Sequence, residues 1–416
     1  MFASKLLGAL GVILILFVCW LISENRRAFP FRIVIFGLAL QFAAATFILY
    51  VPAGVGIFQW IGDKVTTFLN YGYKSADFLF GNLLNPGFSG TFGFQFAAIV
   101  LVTIVFFSSF ISILYHYGIM QRIVYAMAWV MEKTMGTSGV ESLNASANVF
   151  LGQTEAPLLI RKYLPYASRS EVCAVMVGGF CTIAGGVMAA YISMGISAET
   201  LIAASVIAAP TGLMLSKIAV PPTATDTTTE EIKHIDLPRA DNVLVAITDG
   251  AADGLKLVLN IIAMLIAFIS LIALLDAGFR SLDAWLTPIG FPWLPSSLAE
   301  LLGYIFQPFA YIANIPANEA RTFGALVGQK IALNEFVAYA DLAKMIQSGA
   351  ISERTARIAT FALCGFANFS SIAIQIGGLG AMVPDKKTEI AQLGLKAMTI
   401  GALANLMTAV IAGLYL

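Results

Sequence analysis

Charged side chains are scarce in this chain: Asp, Glu, Lys and Arg together make up 12% of its 416 residues, whereas hydrophobic residues make up 59%. In water, so little charge beside 30 Phe residues would lead to aggregation, but lipid tolerates such a composition. Lys and Arg balance Asp and Glu at 24 each, so the charge gives no indication of nucleic acid as a partner. The composition predicts a polytopic membrane protein.

Cysteine and histidine are also rare, with four and two residues. The cysteines lie inside apolar runs without paired spacing, which is typical of small core residues rather than of disulfides or metal ligands. The chain has no His-Glu-x-x-His helix, no Walker loop and no Gly-x-Ser-x-Gly elbow. We therefore expect that it is not an enzyme. The cysteines are Cys19, Cys173, Cys181 and Cys364.

Long apolar runs predict eight transmembrane helices in an all-α protein. The predicted spans cover residues 6–22, 33–50, 92–114, 172–194, 200–215, 255–275, 356–383 and 390–416. Arg26, Arg27 and Arg32 follow the first span, which places this loop in the cytoplasm and the N-terminus outside. Amphipathic segments at 55–84, 119–135 and 279–293 are predicted to lie along the membrane interface.

Two further segments are too polar for simple spans. In residues 144–164, Gly152 and Pro157 flank an amide, a hydroxyl and a carboxylate, and the apolar parts on either side are shorter than the roughly 20 residues that cross a bilayer. Residues 315–345 contain a similar cluster around Glu335. Irregular backbone at membrane depth survives only against protein or a watery cavity. Both segments are therefore predicted to be re-entrant helix–break–helix hairpins with polar tips.

The two halves of the chain resemble each other. Ser170-Glu171 precedes the fourth span and Ser352-Glu353 precedes the seventh, and each span then carries a Cys followed by small polar residues. One hairpin would enter the membrane from the cytoplasm and the other from outside. These opposite orientations make the two halves an inverted repeat. Arg321, Lys330, Arg354 and Arg357 fall on the predicted outer side, where we expect them to be packed within the hairpin bundle.

The predicted organisation has five parts. Residues 1–135 form a scaffold and trimerisation region, 136–217 the first repeat, 218–250 a cytoplasmic connector, 251–314 span six with an interfacial segment, and 315–416 the second repeat. Inverted repeats place substrate and coupling ion near the bilayer midplane, where the repeats meet.

Glu155 and Glu335 are the first candidates for function, because an intramembrane carboxylate is costly. The alternative is a buried acid bound to a backbone amide or an Arg. Asn368, Ser370 and Ser371 offer donors and acceptors for a hydroxylated solute, or else connect helices. Unwound carbonyls and one hydroxyl suit a sodium ion, although the spacing alone favours Thr182 as an ordinary residue of the fourth span. That ion set is Asn148, Leu151, Thr182 and Ile183.

A carrier and a channel are both compatible with polar half-helices. A channel requires repeated coordinating rings along a continuous path. Here varied hydrogen-bonding groups are concentrated at one level, which favours a carrier.

Three motifs together resemble the concentrative nucleoside transporters, in particular the compact bacterial members. They lie at residues 148–157 (Asn-Val-Phe-Leu-Gly-Gln-Thr-Glu-Ala-Pro), 333–339 (Leu-Asn-Glu-Phe-Val-Ala-Tyr) and 364–371 (Cys-Gly-Phe-Ala-Asn-Phe-Ser-Ser). The resemblance implies a homotrimer of eight-span protomers, each with two opposed re-entrant hairpins and its own substrate path.

The resemblance also implies roles for single residues. Gln153, Thr154 and Glu155, beside Val187, would hold the nucleobase. The ribose hydroxyls would be bound by Glu335, Asn368 and Ser371, with Phe366 lining the pocket. A sodium ion would bind at Asn148, Leu151, Thr182 and Ile183. Leu151 and Thr182 stand where the family pattern has Val and Ser, but Leu supplies only its carbonyl and Thr keeps a hydroxyl.

We therefore expect a cation-coupled symporter in the cell (inner) membrane that imports nucleosides such as uridine. Sodium is the expected coupling ion and a proton is the alternative, because some bacterial members use protons. The mechanism implied is an elevator-like movement of the hairpin-containing half against spans one to three.

Overall fold

Helices make up all the regular secondary structure in residues 2–84, 95–222, 240–286 and 295–416, which are the residues that the computed structural model describes. The first half contains α1 (Phe2–Leu21), α2 (Phe31–Leu49), α3 (Pro52–Asn70), α4 (Gly72–Phe80), α5 (Phe96–His116), α6 (Ile119–Met135), α7 (Gly139–Ala147), α8 (Arg169–Cys181), α9 (Gly185–Ser193) and α10 (Ala198–Ala219). The second half contains α11 (Val243–Leu286), α12 (Leu298–Ile312), α13 (Ala320–Ala332), α14 (Glu335–Ser348), α15 (Glu353–Leu363), α16 (Phe369–Met382) and α17 (Lys387–Tyr415). The all-helical prediction is confirmed.

Among the described residues, six helical stretches are long and apolar enough to cross a membrane: Phe31–Leu49, Ala97–His116, Arg169–Ser193, Ala198–Ala219, Val243–Leu286 and Pro384–Tyr415. They coincide with predicted spans two to six and eight. The first predicted span is a shorter apolar helix, and the seventh is divided between α15 and α16. The total of eight membrane spans stays a prediction.

The sixth predicted span is much longer than its apolar run. Helix α11 begins at Val243, inside the predicted connector, and continues to Leu286, inside the predicted interfacial segment. At about 1.5 Å per residue its 44 residues extend about 66 Å, roughly twice the hydrocarbon thickness of a bilayer. Residues 223–239 of the connector and 287–294 of the interfacial segment lie outside the described residues.

Matching N-caps start α8 in the first predicted repeat and α15 in the second. The Ser168 side chain accepts from the amide of Glu171 to start α8, and Ser352 accepts from the amide of Thr355 to start α15. Ser352 therefore corresponds to Ser168, not to Ser170 as the sequence comparison suggested. The Ser170 hydroxyl instead donates to the carbonyl of Val220.

Both of these helices break at equivalent points. Helix α8 ends at Cys181 and α9 starts at Gly185, while α15 ends at Leu363 and α16 starts at Phe369. In α17, the Asn405 side chain donates to the carbonyls of Cys181 and Cys364 at 2.7 and 2.6 Å. One buried amide therefore connects the two breaks across the repeat.

The four basic residues of the predicted outer side all have partners. The Arg321 guanidinium lies 4.2 Å from the centre of the Tyr304 ring, and Arg357 pairs with Glu199 at 3.5 Å. Arg354 donates to the carbonyls of Asn314 and Gly413. Buried Lys330 donates to the carbonyl of Ala362 and to the Asn405 side chain. All four side chains therefore have contacts within the protein, and the side of the membrane on which they lie stays a prediction.

Burial divides the helices into two groups. The most apolar windows of α8–α9, α10 and α17 are each 89% buried, whereas those of α5 and α11 are 17% and 11% buried. Helices α1 and α2 pack on α17 and α10, while α5 packs along α11. The first break lies in the well-buried group, while α5 packs both along α11 and against α9.

Candidate binding site at the helix breaks

The helix breaks and the tips of both predicted hairpins meet around one cavity of about 830 Å³. Its wall also includes Asp253, Lys256 and Asn260 of α11. The structure brings together in this wall every residue predicted to contact substrate: Gln153, Thr154, Glu155, Val187, Glu335, Phe366, Asn368 and Ser371.

The first hairpin opens into irregular backbone over a long stretch. Helix α7 ends at Ala147, and regular structure resumes only in a short 3-10 turn at Ala156–Ile160. A Cβ at Gly152 would lie 2.1 Å from a carboxylate oxygen of Glu155, so the glycine lets this carboxylate lie against the backbone of the tip. The tip therefore presents Gln153, Thr154 and Glu155 side by side.

The second hairpin has a much shorter break. Helix α13 ends at Ala332 and α14 starts at Glu335, leaving Leu333 and Asn334 between them. The Asn334 side chain caps α14 by accepting from the amide of Val337 at 2.9 Å. The carboxylate of Glu335 thus lies in the first turn of a helix, where the helix dipole favours negative charge.

Glu335 contacts neutral donors. It is 5% exposed, accepts from the Asn368 amide at 2.8 Å on one oxygen and from the Tyr191 hydroxyl at 3.3 Å on the other. In the described part of the chain it forms no salt bridge, so it is not paired with Arg, whereas a backbone N–H at Glu335 is among its donors, as the other half of the alternative held. Each oxygen retains capacity to accept another hydrogen bond.

Glu155 differs from Glu335 because its side chain is exposed in the cavity. The Thr154 hydroxyl donates to one of its oxygens at 3.0 Å. The two carboxylates therefore offer two unlike acceptor groups within one cavity, one at each hairpin tip.

Asn368 and Ser371 connect the hairpins directly. Asn368 caps α16, with its side-chain oxygen accepting from the Ser371 amide at 2.9 Å and from the Ser370 hydroxyl at 2.7 Å. The Gln153 amide donates to the Ser371 hydroxyl at 3.3 Å. These residues connect helices, which was the alternative to solute binding in the sequence analysis, and they line the cavity as well.

The predicted ion-binding residues lie together beside the first break. The amide of Gly185 donates to the carbonyl of Phe150 at 2.9 Å, which holds the segment with Asn148 and Leu151 against the segment with Thr182 and Ile183. Thr182 donates its hydroxyl to the carbonyl of Gly178 at 2.9 Å and keeps its lone pairs.

Unused oxygens at this place fit a hard cation. The Asn148 side-chain oxygen is buried and has no hydrogen-bond partner among the described residues. Within the same residues, the carbonyls of Leu151 and Ile183 accept no hydrogen bond. Buried acceptors without donors are rare, and a cation would satisfy several of them at once.

Comparison with known proteins bears on what this cavity binds. The models for the N-terminal and C-terminal parts of Na+-dependent nucleoside transporters match residues 10–83 and 200–413, and a nucleoside-recognition gate model matches residues 97–198. The chain belongs to the concentrative nucleoside transporter family. It is accordingly a multi-pass membrane transporter and not an enzyme, as the sequence predicted.

Several relatives in this nucleoside transporter family match along nearly the whole chain. The nucleoside permease NupC of Helicobacter pylori is 41% identical, with 100% of this chain and 99% of the permease aligned. Sodium/nucleoside cotransporter 1 of Mus musculus is 40% identical over 99% of this chain and 64% of its own. CNTnw, solved in an inward-facing substrate-bound state, has a TM-score of 0.91 at 39% identity, covering 99% of this chain and 98% of that one.

Some residues of this nucleoside transporter site were missed from the sequence. Tyr191 lies within an apolar run and carries no signal that separates it from a core aromatic residue. Gln375 follows Ser371 by four residues in an otherwise apolar helix, and this helical spacing of two polar residues would have found it. Lys330 and Asn405 were visible as polar residues in apolar surroundings, but only the fold brings them together.

Proposed function

We propose that this protein is a sodium-coupled symporter that imports nucleosides across the inner membrane. The observation that carries the proposal is the cavity whose wall includes Gln153, Thr154 and Glu155 from the first repeat together with Glu335, Asn368 and Ser371 from the second. A site of this kind holds a small polar solute, because its buried donors and acceptors must be paired.

The second hairpin supplies the ribose site. Glu335 accepts one hydrogen bond on each oxygen from another side chain, so the remaining lone pairs are available to vicinal hydroxyls. Asn368 and Ser371 stand next to it in the wall. The first hairpin supplies the nucleobase site through Gln153, Thr154 and Glu155, with Val187 as an apolar contact.

Replacing the ribose carboxylate tests this assignment. Glu335→Gln exchanges an acceptor-only group for a mixed one, and uridine transport should fall at least about 100-fold in kcat/KM, since two charge-assisted hydrogen bonds weaken. Glu353→Gln, at the first turn of α15 and outside the cavity wall, is the matched control. Full uridine transport by Glu335→Gln would remove the ribose assignment.

The coupling ion would bind between Asn148, Leu151, Thr182 and Ile183. An ion there bridges the first hairpin and the break between α8 and α9, and so orders the tip that carries Gln153. Coupling of this kind is reciprocal: sodium raises nucleoside affinity by the factor with which nucleoside raises sodium affinity.

Uptake of radiolabelled uridine into proteoliposomes tests the ion. We expect uptake with an inward sodium gradient and none with potassium at the same pH. Thr182→Val should raise the sodium concentration for half-maximal uptake about tenfold, whereas Thr360→Val, another buried threonine hydroxyl, should leave it unchanged. Uptake driven by a proton gradient without sodium would assign the coupling to Glu155 or Glu335.

An elevator-like movement in a homotrimer completes the proposal. A second cavity of about 1100 Å³ lies on the opposite side of Leu265, which borders both cavities, and is lined by later residues of α11 and by α14. The cavity of the site thus extends along the earlier part of α11, and the second cavity lies along its later part. The packing favours α5 and α11, which are predicted spans three and six, as the fixed part, and this set differs from spans one to three.

A further inference from the structure

We propose that Gln375 is a positioning residue that sets nucleobase selectivity by holding the Gln153 carboxamide in one orientation. This inference rests on the proposed nucleoside site. Gln375 is 0% exposed and lies outside the cavity wall, one helical turn beyond Ser371 in α16. Its amide nitrogen donates to the carbonyl of Met176 at 3.0 Å and to the side-chain oxygen of Gln153 at 3.2 Å.

The backbone determines which way Gln375 points. A carbonyl oxygen only accepts hydrogen bonds, so the group facing Met176 must be the NH2 of Gln375 and not its oxygen. The second hydrogen of that NH2 faces Gln153, which must present its oxygen in return. The reversed Gln375 would bring two acceptors together at Met176. The arrangement is maintained although the Gln375 oxygen is buried without a partner among the described residues.

The orientation of Gln153 determines which hydrogen-bonding groups face a ligand in the cavity. With its oxygen toward Gln375, Gln153 has its NH2 toward the Ser371 hydroxyl, to which it donates at 3.3 Å. The Ser371 oxygen therefore accepts, and the Ser371 hydrogen is left for an acceptor on a ligand. A second backbone group acts likewise on the neighbouring amide: the Ser371 N–H fixes the oxygen of Asn368, which turns the Asn368 NH2 toward Glu335.

Close packing holds both glutamines in place. A Cβ at Gly179 of α8 would lie 2.7 Å from the Cβ of Gln153 and 2.8 Å from the amide nitrogen of Gln375. Helix α8 therefore contacts both side chains at a distance that only glycine permits. A rotation of either amide by 180° would have to occur against this contact and against the Met176 carbonyl.

A fixed amide distinguishes bases that a freely turning amide does not. Uridine presents a donor at N3 flanked by acceptors, while cytidine presents an acceptor at N3 and a donor on its amino group. Gln153 keeps one N–H and one lone pair for the base, and a flipped amide would exchange their positions. Without Gln375, Gln153 could turn to suit either base, and discrimination between them would decrease.

The test compares kcat/KM for uridine and for cytidine in proteoliposomes. Gln375→Met keeps the volume of the side chain and removes both hydrogen bonds that Gln375 donates. The ratio of kcat/KM for the two nucleosides should then move toward one by at least about tenfold. Gln41→Met is the matched control, because Gln41 is also fully buried and hydrogen-bonded, to Thr211 of α10, and lies outside the cavity wall. Its ratio should equal that of the wild type.

Two further variants show whether Gln375 acts through Gln153. The double variant Gln153→Met/Gln375→Met should have the ratio of Gln153→Met alone. Should Gln375→Met fail to fold, Gln375→Glu serves, because a buried carboxylic acid has a single O–H and can satisfy only one of the two acceptors. A wild-type ratio near one, or a ratio unchanged in Gln375→Met and Gln375→Glu, overturns the inference. A wild type that transports no nucleoside would instead overturn the proposed function.

Discussion

Tyr191 is the residue through which the first repeat reaches the carboxylate of the second. Its hydroxyl donates to Glu335, and its ring stacks on Tyr339 with the centres 4.2 Å apart. Tyr191→Phe keeps the ring and removes the donor. We expect KM for uridine to rise about tenfold, the usual effect of losing one hydrogen bond to a carboxylate, with little change in the amount of folded protein.

Tyr339→Phe is the control for that prediction. The Tyr339 hydroxyl is buried like that of Tyr191, but it donates to the carbonyl of Thr360 at 2.8 Å rather than to Glu335. Its removal should affect thermal stability and leave the uridine KM within about twofold of the wild type. Equal KM values for Tyr191→Phe and the wild type would show that Tyr191 does not prepare Glu335 for the ribose.

Prediction from sequence at the residue scale succeeded where a polar group stands in an apolar segment. Glu155, Glu335 and Asn368 are conspicuous for this reason, and all three line the cavity. Tyr191 and Gln375 were missed because their importance depends on what they touch: Glu335 is 144 residues from Tyr191, and Gln153 is 222 residues from Gln375.

At the scale of elements, Asn405 and Lys330 hold the broken helices together. The Asn405 amide donates to the carbonyls at both breaks, and its oxygen accepts from the buried Lys330 ammonium. Asn405→Leu leaves two buried carbonyls without this donor and a buried cation with one acceptor fewer. We expect a loss of about 3 to 5 kcal/mol of stability, seen as a lower apparent melting temperature in detergent.

A double variant separates the charge from the rest of this effect. In Lys330→Met/Asn405→Leu the ammonium is gone, so the double variant should be more stable than Asn405→Leu alone. Thr399→Val is the control in α17, since the half-buried Thr399 hydroxyl donates only within its own helix, to the carbonyl of Leu395. If the double variant is the less stable one, Lys330 stabilises the breaks independently of Asn405.

Apolar runs predict the positions of long apolar helices better than they predict where those helices begin and end. They gave the positions of six long apolar helices, but α11 continues through Asp249, Asp253 and Lys256, because charged residues end an apolar run without ending a helix. Conversely, predicted span seven is broken at residues 364–368, within a segment that is apolar enough overall to be predicted as one span. Hydrophobicity carries no information on backbone hydrogen bonds, and both errors follow from this.

For the whole molecule, packing indicates where relative movement is possible. Helix α1 packs on α17, and Glu24, in the loop after α1, accepts from Arg169 of α8 and Lys396 of α17. The hydrogen bond from Arg169 is the main cause of the lowered pKa of Glu24. These contacts attach the first two helices to the repeats, although the sequence pattern had grouped them with a separate scaffold.

Two cross-links test this division. A Cβ at Gly11 of α1 would lie 3.2 Å from a methyl carbon of Val410 in α17, and one at Gly186 of α9 would lie 3.4 Å from the hydroxyl of Ser108 in α5. In each pair a γ atom of the partner lies next to the new Cβ, so each is a candidate for a disulfide after substitution by Cys. The new Cβ of Gly11→Cys also lies 2.9 Å from the Cβ of Ile312, so α12 must shift slightly in that variant. If α1 moves with the repeats, oxidised Gly11→Cys/Val410→Cys should keep uridine uptake near that of its reduced form.

Oxidised Gly186→Cys/Ser108→Cys should lose nearly all uptake and regain it on reduction, because this disulfide connects the moving repeat to the fixed α5. The two pairs share the same chemistry and similar spacing, so each is the control for the other. Should the α1–α17 disulfide block transport and the α9–α5 disulfide permit it, the fixed part includes α1 and the division argued from packing is wrong. Should neither block it, substrate crosses without relative movement of these helices, and an elevator would be excluded.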